Sequence, residues 1–501
     1  MSFDEDLKAA RARRPDAELL NALARAALAQ QREQDVLPLL SEAAAATKNA
    51  RLWQWKGLLE RALDEHSDAL HSFAEAARLA PSDAGIAHGH ARVALEAGVP
   101  AAELFEHALR LAPDNGHVYL GLVAARIAAG EGERAEAELD AILARSPLWL
   151  DGHRQLAQVR ALLGRRETAF DSLRRAIAIQ PGQPALWQTL FDLEVQAEDY
   201  ALLDRSLEEA RAAAIPPDEM RAYEFIAASE LGRSDQADRL RSQGDIPPVW
   251  LVRHLLRNGM LEEAIALIDA ELAGAGAAEM RPYAETAWRM NGDPRLDWLT
   301  GDPNLVSVID LGERLVAIPA LPDVLRHLHA KSGRYLDQSV RGGSQTDGPL
   351  FSRIEPEIRM LRSIIADAVE GHVARFQSLP YGHPQKLSLA GKRVRFSGSW
   401  SVRLVDGGFH ANHVHPRGWI SSALYLSLPE AMTGDEGWLA LGEPPPELGL
   451  GLEPTRMIEP KVGRLVLFPS WMWHGTRPFP SGERLTVAFD VAPPAQSSSS
   501  S

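Results

Sequence analysis

The sequence predicts a multidomain α + β protein, in which an N-terminal α-solenoid of helix pairs precedes a C-terminal jelly roll with flanking helices. From about residue 16 to 300, apolar residues recur at helical spacing in a chain rich in Ala, Leu, Arg and Glu. In the same part, prolines recur at intervals of 32 to 34 residues. From Val394 onward, short runs of alternating apolar and polar residues are separated by Gly and Pro, which is typical of strands.

The composition is that of an ordinary globular protein. A length of 501 residues suffices for two or three domains, and 45% of the residues are hydrophobic and 24% charged. The net charge of -15 argues against general binding to nucleic acid or to an anionic membrane. The chain has no cysteine, which excludes disulfides, thiolate metal ligands and a cysteine nucleophile.

Both ends of the sequence carry simple signals. The first six residues are acidic and lack the apolar core of a signal peptide, and no segment approaches the apolar run of a membrane span. We therefore expect a soluble cytoplasmic protein without a nucleic-acid or membrane partner. Residues 495–501 are serine-rich and are expected to be disordered.

The regular prolines define a repeat. Its prolines are Pro81, Pro113, Pro147 and Pro181. A small residue stands twelve positions before each of them, at Ala69, Ala101, Ala135 and Ala169. A large apolar residue stands eight positions before each, at Phe73, Phe105, Leu139 and Leu173. The small residues allow two helices to approach closely, and the large ones are expected to fill the groove to the next repeat.

Gly130 and Gly164 fall where the turn inside a repeat is expected. The spacing resembles that of tetratricopeptide repeats over residues 40–215. The same helical pattern continues less regularly on both sides, so the predicted repeat domain covers residues 16–300. Residues 1–15 form a separate N-terminal segment. Such repeats expose a concave face. We expect that face to bind a protein or peptide partner, although an architectural or homodimer-forming role stays open.

A second domain is predicted over residues 303–494, because turn residues are dense between 292 and 305. It starts with a strand-like run at 305–311 and includes two predicted helices, at 321–330 and about 355–376. Between these helices, the polar, glycine-rich stretch 337–346 predicts a lid or substrate-pocket loop. Its Arg341 and Gln345 are candidate substrate contacts.

Five strands are predicted in the rest of this domain. They lie at residues 396–404, 419–428, 437–441, 462–468 and 485–491, and the first is expected to end in a turn at Asp406-Gly407-Gly408. Several short antiparallel strands with Gly and Pro turns indicate a double-sheet jelly roll. The mouth of a jelly roll is a natural place for a metal pocket.

Three histidines are the candidate metal ligands. His413 and His415 project to the same side of an extended chain. His474, 59 residues after His415, lies in the turn after a later strand, where its ring is expected to point into the mouth of the jelly roll. Three neutral imidazoles, or two with a carboxylate, can hold a ferrous ion and leave positions open for a co-substrate and oxygen. His410 is expected to line the pocket or to support a ligand.

Ten residues after His474, Arg484 begins an alternating run. Arg484 and Thr486 share one face of the predicted strand, where a fork-shaped cation and a hydroxyl can clamp a distal carboxylate. Tyr425, on an earlier strand, is expected to add a hydrogen bond. The sequence therefore predicts a carboxylate co-substrate beside the metal.

Because of these histidines and Arg484, residues 303–494 resemble the 2-oxoglutarate and Fe(II)-dependent oxygenase superfamily. They resemble in particular its bacterial members with N-terminal tetratricopeptide repeats. The matching stretches are 338–346, 407–409, 413–416, 418–422, 468–471 with His474, and 484–490. The resemblance implies a double-stranded β-helix fold, with Fe(II) and 2-oxoglutarate as cofactors and ascorbate as a supporting reductant. It also implies hydroxylation of a substrate C–H bond, coupled to decarboxylation of 2-oxoglutarate to succinate and CO2.

The sequence departs from that superfamily at one position. The usual metal motif is His-x-Asp or His-x-Glu with a distal His, and His415 stands where the carboxylate is expected. Either His415 is the third ligand, or His413 and His474 hold the metal together with water. Asp406, seven residues before His413, is not expected to be a ligand. The donors alone suit manganese or zinc as well as iron.

Our main hypothesis is a 2-oxoglutarate-dependent dioxygenase, a hydroxylase whose repeat domain recruits a protein or peptide substrate. One alternative is a small-molecule oxygenase whose repeats serve assembly. Another is a non-catalytic repeat scaffold with a degenerate oxygenase domain, which the missing carboxylate favours. Arg484 and the three histidines argue against that last alternative.

Overall fold

The computed structural model describes residues 2–12, 16–330, 339–389 and 391–494. The serine-rich tail at 495–501, predicted to be disordered, lies outside the described residues, as do Asp337 and Gln338 of the predicted loop. None of the helices that the structure describes combines the length and apolar character needed to cross a membrane.

The N-terminal part is helical up to residue 300. Its helices are α1 Phe3–Ala12, α2 Ala17–Gln30, α3 Glu33–Ala46, α4 Ala50–Ala62, α5 His66–Leu79, α6 Ala84–Glu96, α7 Ala102–Leu111, α8 Gly116–Ala128, α9 Gly132–Arg145, α10 Leu150–Leu162, α11 Asp171–Ile179, α12 Pro184–Gln196, α13 Tyr200–Ala212, α14 Pro217–Glu230, α15 Ser234–Arg241, α16 Pro248–Arg257, α17 Leu261–Leu272, α18 Ala277–Asn291 and α19 Arg295–Thr300. From α2 to α17, consecutive helices form pairs that stack on their neighbours. The predicted α-solenoid is confirmed.

The repeat pattern corresponds to the packing. The helices α5, α7, α9 and α11 each end two residues before a repeat proline. The predicted small positions are at most 3% exposed and the predicted large positions at most 1%. Phe105 packs against Gly121 of the next helix, α8, and a Cβ on Gly121 would overlap the Phe105 ring. A residue without a side chain is therefore needed at position 121. Gly130 and Gly164 adopt φ of +84° and +78° in the turns inside their repeats, as expected.

The N-terminal segment predicted at residues 1–15 contributes α1, which packs on α2 and α3. Leu7 and Ala10 of α1 belong to the same buried cluster as Leu20 and Leu23 of α2. Because α1 shares this apolar core, the helical array begins before residue 16.

The described residues of the C-terminal part form mainly strands, together with three α-helices. Its helices are α20 Gly312–Leu315, α21 Leu321–His329 and α22 Pro356–Arg375. Its strands are β1 Ser307–Asp310, β2 Val340–Gln345, β3 Phe396–His410, β4 Ile420–Ser427, β5 Leu439–Leu441, β6 Arg456–Ile458, β7 Arg464–Pro469, β8 His474–Thr476 and β9 Glu483–Val491. All five strands that the sequence predicts after residue 394 are present.

The strands form two antiparallel sheets. The larger has the order β1-β7-β4-β9-β3-β2 and the smaller β6-β5-β8. Residues from α21 and α22 form one apolar cluster with the outer face of the larger sheet, including Leu485, Val487 and Phe489 of β9. The predicted jelly roll with flanking helices is confirmed.

Two predictions in this domain are wrong, and both concern glycines. The stretch 340–345, predicted as part of a lid or substrate-pocket loop, is the edge strand β2 rather than a loop. The strand β3 continues through the predicted turn at 406–408 as one strand of 15 residues. Gly342 has φ +71°, and a Cβ on it would lie 2.9 Å from the Cα of Gly408. The two backbones approach so closely that only glycine fits, and the pairing shifts register between Arg341 and Gly343. These glycines form a bulge between paired strands.

The last repeat helices share a core with the jelly roll. One buried cluster contains residues of α16 to α19 together with Phe468, Trp471 and Trp473. The indole Nε1 of Trp473 donates to the Pro282 carbonyl and to the Thr286 hydroxyl, each at 3.1 Å. The change of sequence pattern near residue 300 therefore lies within a continuous apolar core.

Turns inside several repeats also face the jelly roll. We call residues 62–65, 97–98, 164–166 and 196–198 the turn edge. The Asp64 carbonyl accepts from Arg362, and the Ala97 carbonyl accepts from the Ile354 amide at 3.2 Å. Farther along, Glu198 pairs with Arg341 at 3.2 Å. The oxygenase-like domain thus contacts the repeats along the C-terminal ends of their first helices.

Candidate functional site

The segment that follows β3 brings the three histidines together. His413 and His474 form a backbone bridge, in which each amide donates to the other's carbonyl at 3.0 Å. Two residues later, the His415 amide donates to the Ser470 carbonyl at 2.9 Å. One ring nitrogen from each histidine lies within 4.8 Å of the others, which is close enough to share one metal ion.

Hydrogen bonds determine which nitrogen each ring presents. His413 Nδ1 lies 2.7 Å from the Ala411 carbonyl oxygen, and His474 Nδ1 lies 3.0 Å from that of Met472. A carbonyl oxygen only accepts, so both Nδ1 atoms carry the hydrogen and the lone pair of each ring lies on Nε2. His415 Nδ1 lies 2.6 Å from Asp490 Oδ2, and an ionised carboxylate also only accepts.

The surroundings keep the imidazoles of His410, His413 and His474 neutral. Burial lowers the pKa of His413 and of His474 well below the usual value, and the neighbouring histidines lower both further. Burial, with help from Arg484, also lowers the pKa of His410 to about 3. Neutral imidazole is the form that binds metal, so at neutral pH the rings of His413 and His474 are ready to be ligands.

Arg484 is a buried cation on β9. Its side chain is 2% exposed, and no Asp or Glu of the described residues lies within 4.0 Å of it. One Nη donates to the Gly437 carbonyl at 3.0 Å, the guanidinium lies 5.0 Å from the Tyr425 ring centre, and Nε has no hydrogen-bond partner among the described residues. Burial lowers the pKa of Arg484 and raises that of Tyr425. A buried cation without a carboxylate partner is a natural binding group for an anion.

One cavity of about 1000 Å³, the site cavity, collects most of the predicted residues. It is lined by Arg341, Gln345, His410, His413, His415, His474, Arg484 and Thr486. Tyr425 does not line it and instead packs behind Arg484. The hydroxyl of Ser339 lies 3.2 Å from His410 Nδ1 and 3.3 Å from His413 Nε2, so it occupies the space between these rings.

The site cavity also has walls that the sequence interpretation missed. The repeats contribute Gln158 of α10, Arg166 in the turn before α11, and Gln196 and Glu198 at the end of α12. Their position depends on how the turn edge meets the jelly roll, so no local sequence pattern indicates it. Asp490 was also missed, although it continues the alternation of Arg484 and Thr486 on the cavity face of β9.

Comparison with known families supports both halves of this architecture. Residues 398–490 match the family described as "Putative 2OG-Fe(II) oxygenase", and residues 101–159 match the tetratricopeptide repeat. The oxygenase match contains the three histidines, Arg484 and Asp490. No curated protein matches the chain.

Solved structures resemble parts of the chain. A tetratricopeptide repeat protein from Parabacteroides merdae ATCC 43184 is 15% identical, covering 43% of this chain and 88% of its own at a TM-score of 0.31. A Pseudomonas putida prolyl-4-hydroxylase is 18% identical, covering 38% of this chain and 92% of its own at a TM-score of 0.26. From the family matches, we conclude that the chain joins tetratricopeptide repeats to a C-terminal 2OG-Fe(II) oxygenase domain, a domain family that implies Fe(II) and 2-oxoglutarate as cofactors.

Proposed function

We propose that this protein is an Fe(II)- and 2-oxoglutarate-dependent hydroxylase of a protein or peptide substrate, with the repeats forming part of the substrate site. His413, His415 and His474 hold the metal in this proposal. The observation that carries it is the shared cavity, in which the three histidines lie beside the buried Arg484.

The donor set fits Fe(II). Each imidazole has its Nδ1 hydrogen engaged by an oxygen, so each can direct a neutral Nε2 toward one ion. Three protein ligands leave coordination positions for a co-substrate and oxygen. His415 therefore serves as the third ligand, in place of a coordinating carboxylate.

The cation on β9 fits 2-oxoglutarate. Nε of Arg484 has no hydrogen-bond partner among the described residues, and Thr486 lies two residues away on the same strand face. Within the described part of the chain, the Thr486 hydroxyl makes only a long 3.4 Å contact to the Val402 carbonyl, so it can turn to a ligand. Arg484 would bind the distal carboxylate, and packing against Tyr425 keeps its guanidinium in position.

Fe(II) and 2-oxoglutarate, held by the three histidines and Arg484, would supply the oxidising chemistry: one oxygen atom of O2 would enter a substrate C–H bond, and the other would enter succinate as CO2 leaves. The protein's own part is to bind and orient. Burial lowers the pKa of His413 and of His474, so these two ligands stay neutral. The outer face of the sheet packs against α21 and α22 in one apolar cluster.

The walls of the cavity support a large substrate that touches both domains. Beyond the metal-binding residues, the cavity extends to Gln158, Gln196 and Glu198 of the repeats. A volume of about 1000 Å³ is at the upper end of ordinary small-molecule pockets. A peptide segment crossing from the repeats to the metal would contact both walls.

Succinate formation tests the chemistry. Purified protein supplied with Fe(II), ascorbate, 2-oxoglutarate and air is expected to form succinate slowly without its substrate. His474→Ala and Arg484→Ala should each abolish this activity, whereas Arg477→Ala, which alters an arginine paired with Glu443 outside the cavity, should not. Equal succinate from wild type and both site variants would refute the proposal.

Labelling with 18O2 tests the substrate class. Proteome-derived peptides and a protein-free metabolite extract are incubated separately with the full chain. We expect the label in peptides, reduced by Glu198→Gln but not by Glu131→Gln, which changes a repeat turn away from the cavity. Label confined to metabolites would instead support a small-molecule oxygenase.

A further inference from the structure

Asp490 is an acidic residue hydrogen-bonded to one of the three histidines, His415, and the metal-binding proposal leaves it without a role. It lies near the end of β9 on the cavity face, six residues after Arg484. Its Oδ2 accepts from His415 Nδ1 at 2.6 Å, and its Oδ1 accepts from the Ser421 hydroxyl at 2.6 Å. Both carboxylate oxygens are therefore held by named donors.

The other two histidines are oriented differently. His413 and His474 donate to main-chain carbonyls of their own segment, which are neutral acceptors. Only His415 donates to a charged acceptor. His415 is also the residue at the position where a coordinating carboxylate is expected. The carboxylate charge is thus present next to His415, but it belongs to Asp490 and lies behind the imidazole ring, at Nδ1, instead of at the metal-binding position.

The supporting contacts hold this carboxylate in a fixed place. Ser421 of β4 pairs with Asp490 across the sheet, and its hydroxyl also lies 3.0 Å from that of Ser470. A Cβ on Gly418 would lie 2.5 Å from Ser470 Oγ and 3.4 Å from Asp490 Cβ. The loop before β4 therefore leaves room for the Ser470 and Asp490 side chains because residue 418 is glycine. The network joins β4, β9 and the loop that leaves β7.

We propose that Asp490 is a positioning residue of the metal centre, which acts through His415 and raises the metal affinity of its Nε2. This inference rests on the proposed metal centre and adds a residue that does not touch the ion. A carboxylate that accepts from Nδ1–H fixes the tautomer and the ring orientation, and makes the imidazole a stronger donor. Asp490 thereby restores part of the charge that three neutral ligands lack.

Cobalt titration of the full chain tests the role without relying on turnover. Co(II) binding is followed by visible absorption under conditions where wild type binds one ion. Asp490→Asn keeps the shape and removes the charge, and we expect roughly a 10- to 100-fold weaker affinity, with a changed absorption spectrum. The thermal midpoint of the metal-free variant should remain close to that of wild type.

Asp347→Asn is the matched control, because Asp347 lines the same cavity and its Oδ1 accepts from the Gly348 amide, whereas the described residues show no hydrogen bond from it to the three rings. Equal Co(II) affinities of the Asp490 and Asp347 variants would overturn the positioning role. If Asp490→Asn does not fold, Ser421→Ala replaces it, and an affinity equal to wild type would then overturn the role. A wild type that binds no Co(II) would instead refute the metal centre, and the positioning role with it.

Discussion

At the scale of single residues, the acceptors of the histidine hydrogens determine what the site can bind. Each of the three Nδ1 atoms points at an oxygen that only accepts, so Nε2 is the atom that each ring can offer to a metal. The Nε2 of His413 also lies 3.3 Å from the Ser339 hydroxyl. The spacing of two histidines and a distant third suggests a shared ion, but it does not indicate the tautomers. Those follow from the main chain at Ala411 and Met472 and from the carboxylate of Asp490.

The shape of the Arg484 side chain should matter as well as its charge. Arg484→Lys keeps a cation but loses the planar fork that matches a carboxylate. We expect the dissociation constant for 2-oxoglutarate, measured anaerobically with Fe(II) present, to rise roughly 10- to 100-fold, since charged hydrogen bonds contribute about 1.5–3 kcal/mol each. Arg477→Lys is the control, and an unchanged constant in Arg484→Lys would contradict the assigned contact.

At the scale of elements, β9 organises the domain. Its odd-numbered residues from 485 to 491 lie in the core against α21 and α22, and its even-numbered residues from 484 to 490 line the site cavity. The two-residue period of a strand separates these faces, so the alternation already visible in the sequence predicts both. The same strand carries the proposed co-substrate contact near one end and Asp490 near the other.

The helix α22 is attached to β1 by a buried histidine that predicts a pH dependence. His372 Nδ1 lies 2.7 Å from the Ser307 hydroxyl, and burial, reinforced by Arg375, lowers the pKa of His372 to about 4. Its value in the unfolded chain is about 6.5. Below about pH 6.5 the unfolded state therefore binds more protons, and stability is lost as the pH falls toward 4.

Urea unfolding at several pH values measures this effect. The full contribution of His372 is about 3 kcal/mol across that pH window, at about 1.4 kcal/mol for each unit of pKa shift. In His372→Asn, the loss of unfolding free energy between neutral pH and pH 4 should be smaller than in wild type by roughly this amount. Parallel pH profiles for the two proteins would show that this histidine does not titrate on unfolding.

At the scale of the whole molecule, the repeats and the jelly roll are joined by contacts far apart in sequence. The last repeat helices, α16 to α19, share an apolar core with strands of the jelly roll, and the turn edge meets the domain elsewhere through polar contacts. Arg395 spans this second interface, since it donates to the Ala62 carbonyl at 3.0 Å and pairs with the buried Glu33. The repeats therefore form part of the site cavity as well as a surface for partners.

Arg395→Ala should lower the free energy of unfolding far more than Arg393→Ala, which changes an exposed arginine nearby. Arg395→Ala leaves the Glu33 carboxylate, 1% exposed, without its cation, which costs about 3–5 kcal/mol. Arg393→Ala breaks a pair with Glu65 in which the arginine side chain is 56% exposed, and about 0–1 kcal/mol is expected. The free energy of unfolding of each variant checks this order, and equal losses would contradict the assigned burial.

The sequence by itself determined the features that depend on local periodicity. The helix pairs follow from the spacing of Pro81 and its equivalents, and the strands follow from two-residue alternation; three histidines and Arg484 stand out by their spacing. The glycines at 342 and 407–408 misled the interpretation, because a flexible turn and a tight bulge require the same residue. Whether a backbone passes close by is visible only in the fold.

Tertiary structure alone decided how the site is completed. Glu198 reaches the cavity from a repeat turn more than 200 residues before His413. Asp490 can accept a hydrogen bond from His415 only because the fold places β9 beside the loop that holds His415. These pairings follow from the packing of whole elements, which buries apolar faces between the domains and carries polar residues with them. Local sequence patterns record which face of an element is buried, but not which distant element covers it.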